Sequence, residues 1–231
     1  MTKISSGNPE LDKWLNGGYE TDVITTIYGP AGSGKTNLCL IAACDTAKKG
    51  KKVIYVDTEG GFSISRLKQI SEEKITENIF VYKVTDFKEQ REAFNKIINN
   101  TKSVGLIIID SMAMQYRLEL GNASSEKDDF KIKMINRALA RQLRILNEIA
   151  RKKQIPVLIT NQVYSNFNDR DKVNMVGGDI LKYWSKCLIE LQRTGTGKRK
   201  AILRKHRSMP EKEFSFVINE KGITKSGFGF F

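Results

Sequence analysis

Metal-type ligands are scarce in this chain. Histidine occurs once in 231 residues, at His206, and cysteine three times, at Cys39, Cys44 and Cys187. The cysteines form no C-x-x-C pair and His206 has no histidine or cysteine companion, so the spacing of a zinc site or a dithiol redox motif is missing. The three thiols read as buried side chains of a protein kept in a reducing compartment. Long apolar runs are missing too. No stretch approaches the length that crosses a bilayer, and the N-terminus lacks the apolar core of a secretory signal. The expected location is the cytoplasm, with no membrane partner. Acidic residues are in deficit: 26 Asp and Glu stand against 39 Lys and Arg, a formal charge of +13. Such an excess favours polyanions. Arg193, Lys198, Arg199, Lys200, Arg204, Lys205 and Arg207 follow one another with no acid between them, so nucleic acid is the expected partner. The length suits one large core and is short for two nucleotide-binding domains, so residues 1–231 are expected to form a single domain.

What is present is a phosphate-binding loop. Gly29-Pro30-Ala31-Gly32-Ser33-Gly34-Lys35-Thr36 fits G-x-x-x-x-G-K-T. Backbone N–H groups must converge on phosphate oxygens, and Gly32 and Gly34 remove the side chains that would block them. Lys35 brings a positive charge to the β- and γ-phosphates, and Thr36 offers a hydroxyl to the metal. Asn37 completes the nucleotide-contacting run. Val23–Tyr28 before the loop reads as a buried strand and Thr36–Lys48 after it as a helix, which aims a helix N-terminus at the phosphates. The expected ligands are ATP and Mg²⁺.

Further short apolar runs, Val53–Val56, Ile79–Tyr82, Leu106–Ile109 and Val157–Thr160, are nearly continuous, as strands covered on both faces are. Helical patterns separate them near Ile64–Ser71, Lys88–Asn99 and Lys127–Lys153, with Pro156 blocking any continuation of the last. The expected fold is α/β, a mostly parallel sheet flanked by helices. From Trp184 the pattern changes to antiparallel strands: Cys187–Leu191, Ala201–Arg204 and Phe214–Ile218, with turns at Thr194–Gly197 and Asn219–Gly222. Gly227–Phe231 reads as a mobile or docking tail, and Tyr183 and Trp184 as packing residues.

Asp110 ends the Leu106–Ile109 strand, where a carboxylate can hold Mg²⁺ directly or through water. Glu59 follows Val53–Val56 and is expected to face the same cleft, placed to polarise the water that attacks the γ-phosphate. Gln162 follows Val157–Thr160, where an amide can sense the γ-phosphate and pass its state to the next loop.

The segments Ile4–Gly18, Tyr55–Gly60, Leu106–Ser111 and Ile159–Val163, with Ala140–Arg144 on the long helix, resemble the RecA-like recombinase core. The likeness covers nearly the whole chain, in order, and is strongest to the short archaeal paralogues of the full-length recombinase. It implies a RecA-like ATPase core serving homologous recombination and DNA repair, with Glu59 activating water and Gln162 coupling nucleotide to DNA. It also implies two disordered DNA-facing loops, which fall at Tyr116–Asp128 and Tyr164–Val176. The DNA candidates are then Tyr164, Phe167, Arg170 and Lys172, joined by Lys198, Arg199 and Lys200 from the basic cluster.

The departures from that family pattern carry expectations of their own. The core begins almost at Met1, with neither an N-terminal helical DNA-binding domain nor the Phe-x-x-Ala hook of full-length archaeal recombinases. This weighs toward a nucleotide-gated binder of single-stranded DNA with weak ATPase activity, assisting a full-length recombinase or another repair protein. An autonomous DNA-stimulated ATPase that exchanges strands is the alternative, and self-association is open. A KaiC-type signalling ATPase shares the N-terminal segment and the Lys205-x-Arg207 pair, but the basic charge and single core argue against it. Where the full-length family places a cation-holding Asp, Lys205 stands here. Lys205 and Arg207 are therefore candidates either for phosphate contacts across a subunit interface or for the DNA-facing strip.

Overall fold

Alternate side chains of the central strands feed two separate cores. In Leu106–Ile109, Leu106 and Ile108 join the cluster on one face while Ile107 and Ile109 join the other, and all four are fully buried. That is why the sequence shows continuous apolar runs instead of alternation. The computed structural model describes residues 2–71, 75–166, 169–195 and 197–226, and at 165, 166 and 169–173 the backbone alone.

The strands are β1 (Lys3–Ile4), β2 (Tyr19–Glu20), β3 (Ile24–Tyr28), β4 (Lys52–Asp57), β5 (Ile79–Lys83), β6 (Val104–Asp110), β7 (Val157–Asn161), β8 (Val163–Asn166), β9 (Asp169–Met175), β10 (Cys187–Arg193), β11 (Lys198–Lys205), β12 (Glu213–Asn219) and β13 (Gly222–Lys225). The helices are α1 (Pro9–Trp14), α2 (Lys35–Lys48), α3 (Ile64–Ile70), α4 (Phe87–Asn99), α5 (Met114–Ser125), α6 (Asp129–Lys153) and α7 (Gly178–Trp184). Among the described residues the main sheet runs in nine strands, in the order β13-β12-β11-β10-β3-β7-β6-β4-β5. The run β10-β3-β7-β6-β4-β5 is parallel, and β11, β12 and β13 add antiparallel neighbours at one side. The expected α/β architecture with C-terminal antiparallel strands is therefore observed.

Local chemistry sets the helix ends. Asn8, Ser63, Asp86 and Asp128 each accept a first-turn N–H at the start of α1, α3, α4 and α6. Helix α6 is closed by its C-cap Gln154, which takes a left-handed conformation two residues before Pro156. Its inward stripe Leu139, Leu143 and Leu146 is fully buried, so truncating any one to alanine removes about 2–5 kcal/mol. Cys39, Cys44 and Cys187 are free and buried, with burial pushing the Cys44 thiol to about 11 and that of Cys187 to about 12.

Four sequence expectations need correction. Tyr116–Asp128 is not a disordered loop: α5 occupies most of it. Tyr116 is buried and donates to Asn136 Oδ1 at 2.7 Å, and Ala123 is buried in the same core as the inner face of α6. The described residues of Tyr164–Val176 do not form an open loop either, because β8 and β9 pair as an antiparallel hairpin outside the main sheet. Trp184 packs on the core as expected, but Tyr183 is 73% exposed. The fourth is the basic cluster, taken up below. Phe167, Thr196 and the tail Gly227–Phe231 lie outside the described residues.

Candidate nucleotide-binding site

The loop after β3 leaves the sheet at a point where no side chain fits. A Cβ on Gly29 would lie 2.3 Å from Leu191 O. Gly34 closes the loop at φ +103°, a left-handed angle open to glycine. Helix α2 starts directly after it with no side-chain cap, so its first amides are free to meet an anion. Ser33 Oγ is buried in the loop without a partner among the described residues. Lys35 Nζ donates to Gly29 O at 2.9 Å and Pro30 O at 3.0 Å. Burial pulls the Lys35 pKa down, opposed by the charges of Glu59 and Asp110.

Strand register puts Asp57 of β4 beside Asp110 of β6, so both carboxylates stand at the carboxyl edge of the sheet. Asp110 is 4% exposed, and each of its oxygens accepts a hydroxyl: Tyr55 at Oδ2 (2.7 Å) and Thr160 at Oδ1 (2.5 Å). Burial and the Asp110 charge hold the Tyr55 phenol well above its usual range, so Tyr55 remains the donor. With both oxygens engaged, Asp110 suits a water-mediated hold on a metal better than a direct one.

Glu59 is fixed by its neighbours. Asp57 Oδ1 accepts from the amides of Glu59 and Gly61, and its Oδ2 from that of Phe62. Thr58 is tied to Ser111 in both directions, its hydroxyl donating to Ser111 O and accepting from Ser111 N, each at 2.9 Å. Ser111 Oγ then donates to Glu59 Oε1. The loop is thereby bolted to the end of β6 and presents an exposed carboxylate beside the phosphate-binding loop.

These parts meet in one cleft of 440 Å³ lined by Gly32, Gly34, Lys35, Thr36, Asn37, Glu59 and Gln162 among others. Gln162 is also the root of the β8–β9 hairpin, where its carbonyl accepts from Val176 N. Asp110 lies behind this lining, and Gly29 and Pro30 serve through their carbonyls. The side chain of Asn37 braces the wall: its Oδ1 accepts from Arg66 at 2.7 Å and its Nδ2 donates to Gly222 O. Sequence reasoning missed Arg66. It lines the cleft from α3 and donates to Asn219 O and Glu220 O in the β12–β13 turn, contacts more than 150 residues away in sequence that no local pattern foretells. The uncapped helix start, the glycine cradle and the unpartnered Ser33 hydroxyl fit a triphosphate, and Thr36 with Asp110 fits its magnesium ion.

The Rad51 family model matches residues 1–226. The chain belongs to the Rad51 family. Among similar proteins, a DNA repair and recombination protein RadB of Methanobrevibacter smithii is 44% identical over 94% of this chain and 93% of its own length. The RadB of Methanococcoides burtonii is 43% identical over 95% and 96%. A crystal structure of the RadB recombinase superposes with a TM-score of 0.80 at 35% identity, covering 97% of this chain and all of that one. The expected place among the short archaeal paralogues is thus confirmed.

In this Rad51-family fold the basic cluster is divided by its own strand. Strand β10 runs parallel to β3 toward the phosphate loop, and β11 returns antiparallel, pairing Arg193 with Arg199 and Leu188 with Lys205. Lys198 and Lys205 therefore stand about 23 Å apart at opposite ends of the sheet. Arg199 sits at the nucleotide end, lines the cleft and donates to Gly32 O at 3.3 Å. Several of the other cations are neutralised. Lys200 pairs with Glu213 at 2.8 Å, and Arg204 with Glu190 at 2.7 Å and Glu211 at 2.8 Å. Lys205 Nζ donates to the carbonyls of Lys182 and Ser185, both at 2.8 Å, and does not line the cleft of its own chain. Tyr164 is exposed on β8, and Arg170 and Lys172 lie on β9, where only the backbone is described.

Arg207 holds Asp22 with two hydrogen bonds and also reaches buried Glu20 at 3.1 Å. Arg207→Ala strips Glu20 of its main partner and is expected to cost about 2–3 kcal/mol of stability. Urea unfolding with an unchanged midpoint would count against that structural role.

Proposed function

We propose that this chain is an ATP- and DNA-binding protein of homologous recombination and repair, a single ATPase unit with slow turnover that assists a full-length recombinase. The observation that carries the reading is the convergence of Lys35, Thr36, Glu59 and Gln162 on one cleft, with Gln162 rooting the hairpin that carries the DNA candidates. A magnesium-bound triphosphate supplies the phosphoanhydride and the Lewis acid. Lys35 would exchange its two loop carbonyls for phosphate oxygens, and Thr36 with Asp110 would hold the metal. Glu59, aligned by Ser111, takes a proton from the attacking water. Gln162 then relays occupancy to the hairpin, on which a single strand is engaged together with the basic start of β11 at Lys198 and Arg199. The names of the relatives, DNA repair and recombination proteins, support this assignment.

The test is hydrolysis and oligonucleotide binding measured together, each with and without the other ligand. Expected are weak basal turnover, little stimulation by single-stranded DNA, and DNA affinity that changes with ATP and falls steeply with salt through counterion release. Several-fold stimulation with long filaments in electron micrographs would move the reading to an autonomous recombinase. Indifference to both ligands would overturn it.

A further inference from the structure

A second cavity, of 650 Å³, lies at the end of the sheet opposite the nucleotide cleft and includes Arg151, Tyr183, Trp184, Lys186 and Arg207 in its lining. Its position follows from chain direction. Helix α6 ends at Lys153 just before β7 begins, α7 ends just before β10 begins, and Lys186 N donates to Ile24 O at the first residue of β3. All these are the amino ends of parallel strands, whereas the phosphate loop follows a carboxyl end.

Its charge is uncompensated. Asp22, the carboxylate in the lining, is taken by Arg207. Glu148, one turn back on α6, is shared between Arg144 and Lys152. Among the described residues no carboxylate pairs with Arg151 or Lys186, and both are exposed. The crowding extends to Lys205, where burial first and then the Lys186 charge depress the ammonium pKa. Beside these cations stands Tyr183, 73% exposed, its ring held edge-on by Trp184 at 5.5 Å. Trp184 packs on the core, so the phenol ring is a braced platform. A large ring left in water with unpaired cations at its edge suits a ligand that carries both a flat aromatic face and a phosphate.

We propose that this cavity is a second contact surface for single-stranded DNA, with a base stacked on Tyr183 and the adjoining phosphates held by Arg151 and Lys186. It rests on the reading that the chain binds single-stranded DNA, and it adds a site remote from the β8–β9 hairpin and the nucleotide cleft. A strand engaging both ends of the sheet would run along the flank of β11, whose two ends are about 23 Å apart.

The experiment measures binding of a fluorescein-labelled dT20 to the intact chain, to Tyr183→Ala, to Tyr183→Phe and to the double variant R151A/K186A, across a salt series. Tyr183→Ala is expected to weaken binding roughly tenfold, and Tyr183→Phe to retain it, because the ring face does the work. The double variant is expected to bind more weakly and to lose about 1.4 from the slope of log affinity against log salt, two phosphate contacts at about 0.7 each. ATP affinity, read separately by calorimetry, is expected to be unchanged in all three. Should the intact chain itself ignore dT20, the parent reading falls and this one with it. Should it bind while Tyr183→Ala and the double variant match it in affinity and slope, this surface alone is struck out. Loss confined to self-association, with DNA binding untouched, would likewise overturn it in favour of a second copy as occupant.

Discussion

Lys35→Ala is expected to abolish measurable triphosphate binding. In the free protein the Lys35 ammonium spends its donors on Gly29 O and Pro30 O, so binding exchanges two neutral acceptors for charged phosphate oxygens. Charge-assisted hydrogen bonds contribute about 1.5–3 kcal/mol each, and losing two of them, less the carbonyl bonds given up, weakens affinity by about a hundredfold or more. Fold loss is not the cause. The hydrogen bonds of Lys35 Nζ go to loop carbonyls and not to a strand or helix of the sheet, so far-UV circular dichroism of the variant should match the intact chain. The measurement is the rise in melting temperature on adding Mg-ATP. At a ligand concentration a hundred times the dissociation constant the intact chain gains about 2.7 kcal/mol, and the variant should gain almost none. A variant that keeps the full rise would remove Lys35 from the phosphate contact.

Glu59→Gln is expected to separate binding from chemistry. The amide oxygen of glutamine can accept from Ser111 Oγ as the carboxylate does, and the three amides held by Asp57 are untouched, so the loop geometry persists. The lost quantity is basicity alone. General-base contributions run to about 10²–10⁴-fold, so turnover should fall by that factor while ATP affinity stays within about threefold. Single-turnover hydrolysis with independently measured binding distinguishes the two. Retained turnover would assign water activation to another group and leave Glu59 as a rim carboxylate.

Much of this arrangement was legible in the residues. The phosphate loop is a local motif whose glycines and lysine have fixed tasks, and the parallel strands announce themselves because burial on both faces makes them apolar without interruption. Asp110, Glu59 and Gln162 were findable because each follows such a strand, and parallel strands deliver their carboxyl ends to one edge. What stayed hidden depends on contacts remote in sequence. Arg66 reaches the cleft through carbonyls of the β12–β13 turn, and Arg199 joins it because β11 returns past the phosphate loop. The run Arg193–Arg207 looked like one strip because a sequence has no ends of a sheet; the antiparallel return divides it, and acids from β10, β12 and β2 neutralise several of its members. Tyr116–Asp128 was misread for the same reason in reverse. Its polar residues face outward while Tyr116 and Ala123 are drawn into the core that α6 also covers, which settles the helix.

Asp57 has a consequence for the timing of events at the cleft. Because one buried carboxylate already gathers the amides of Glu59, Gly61 and Phe62, the turn that carries Glu59 is rigidified before any guest arrives. The ordering entropy of that segment is settled during folding and is not deducted from the affinity for the triphosphate. A turn held in place this way offers Glu59 to the cleft in one position, whether the cleft is empty or filled.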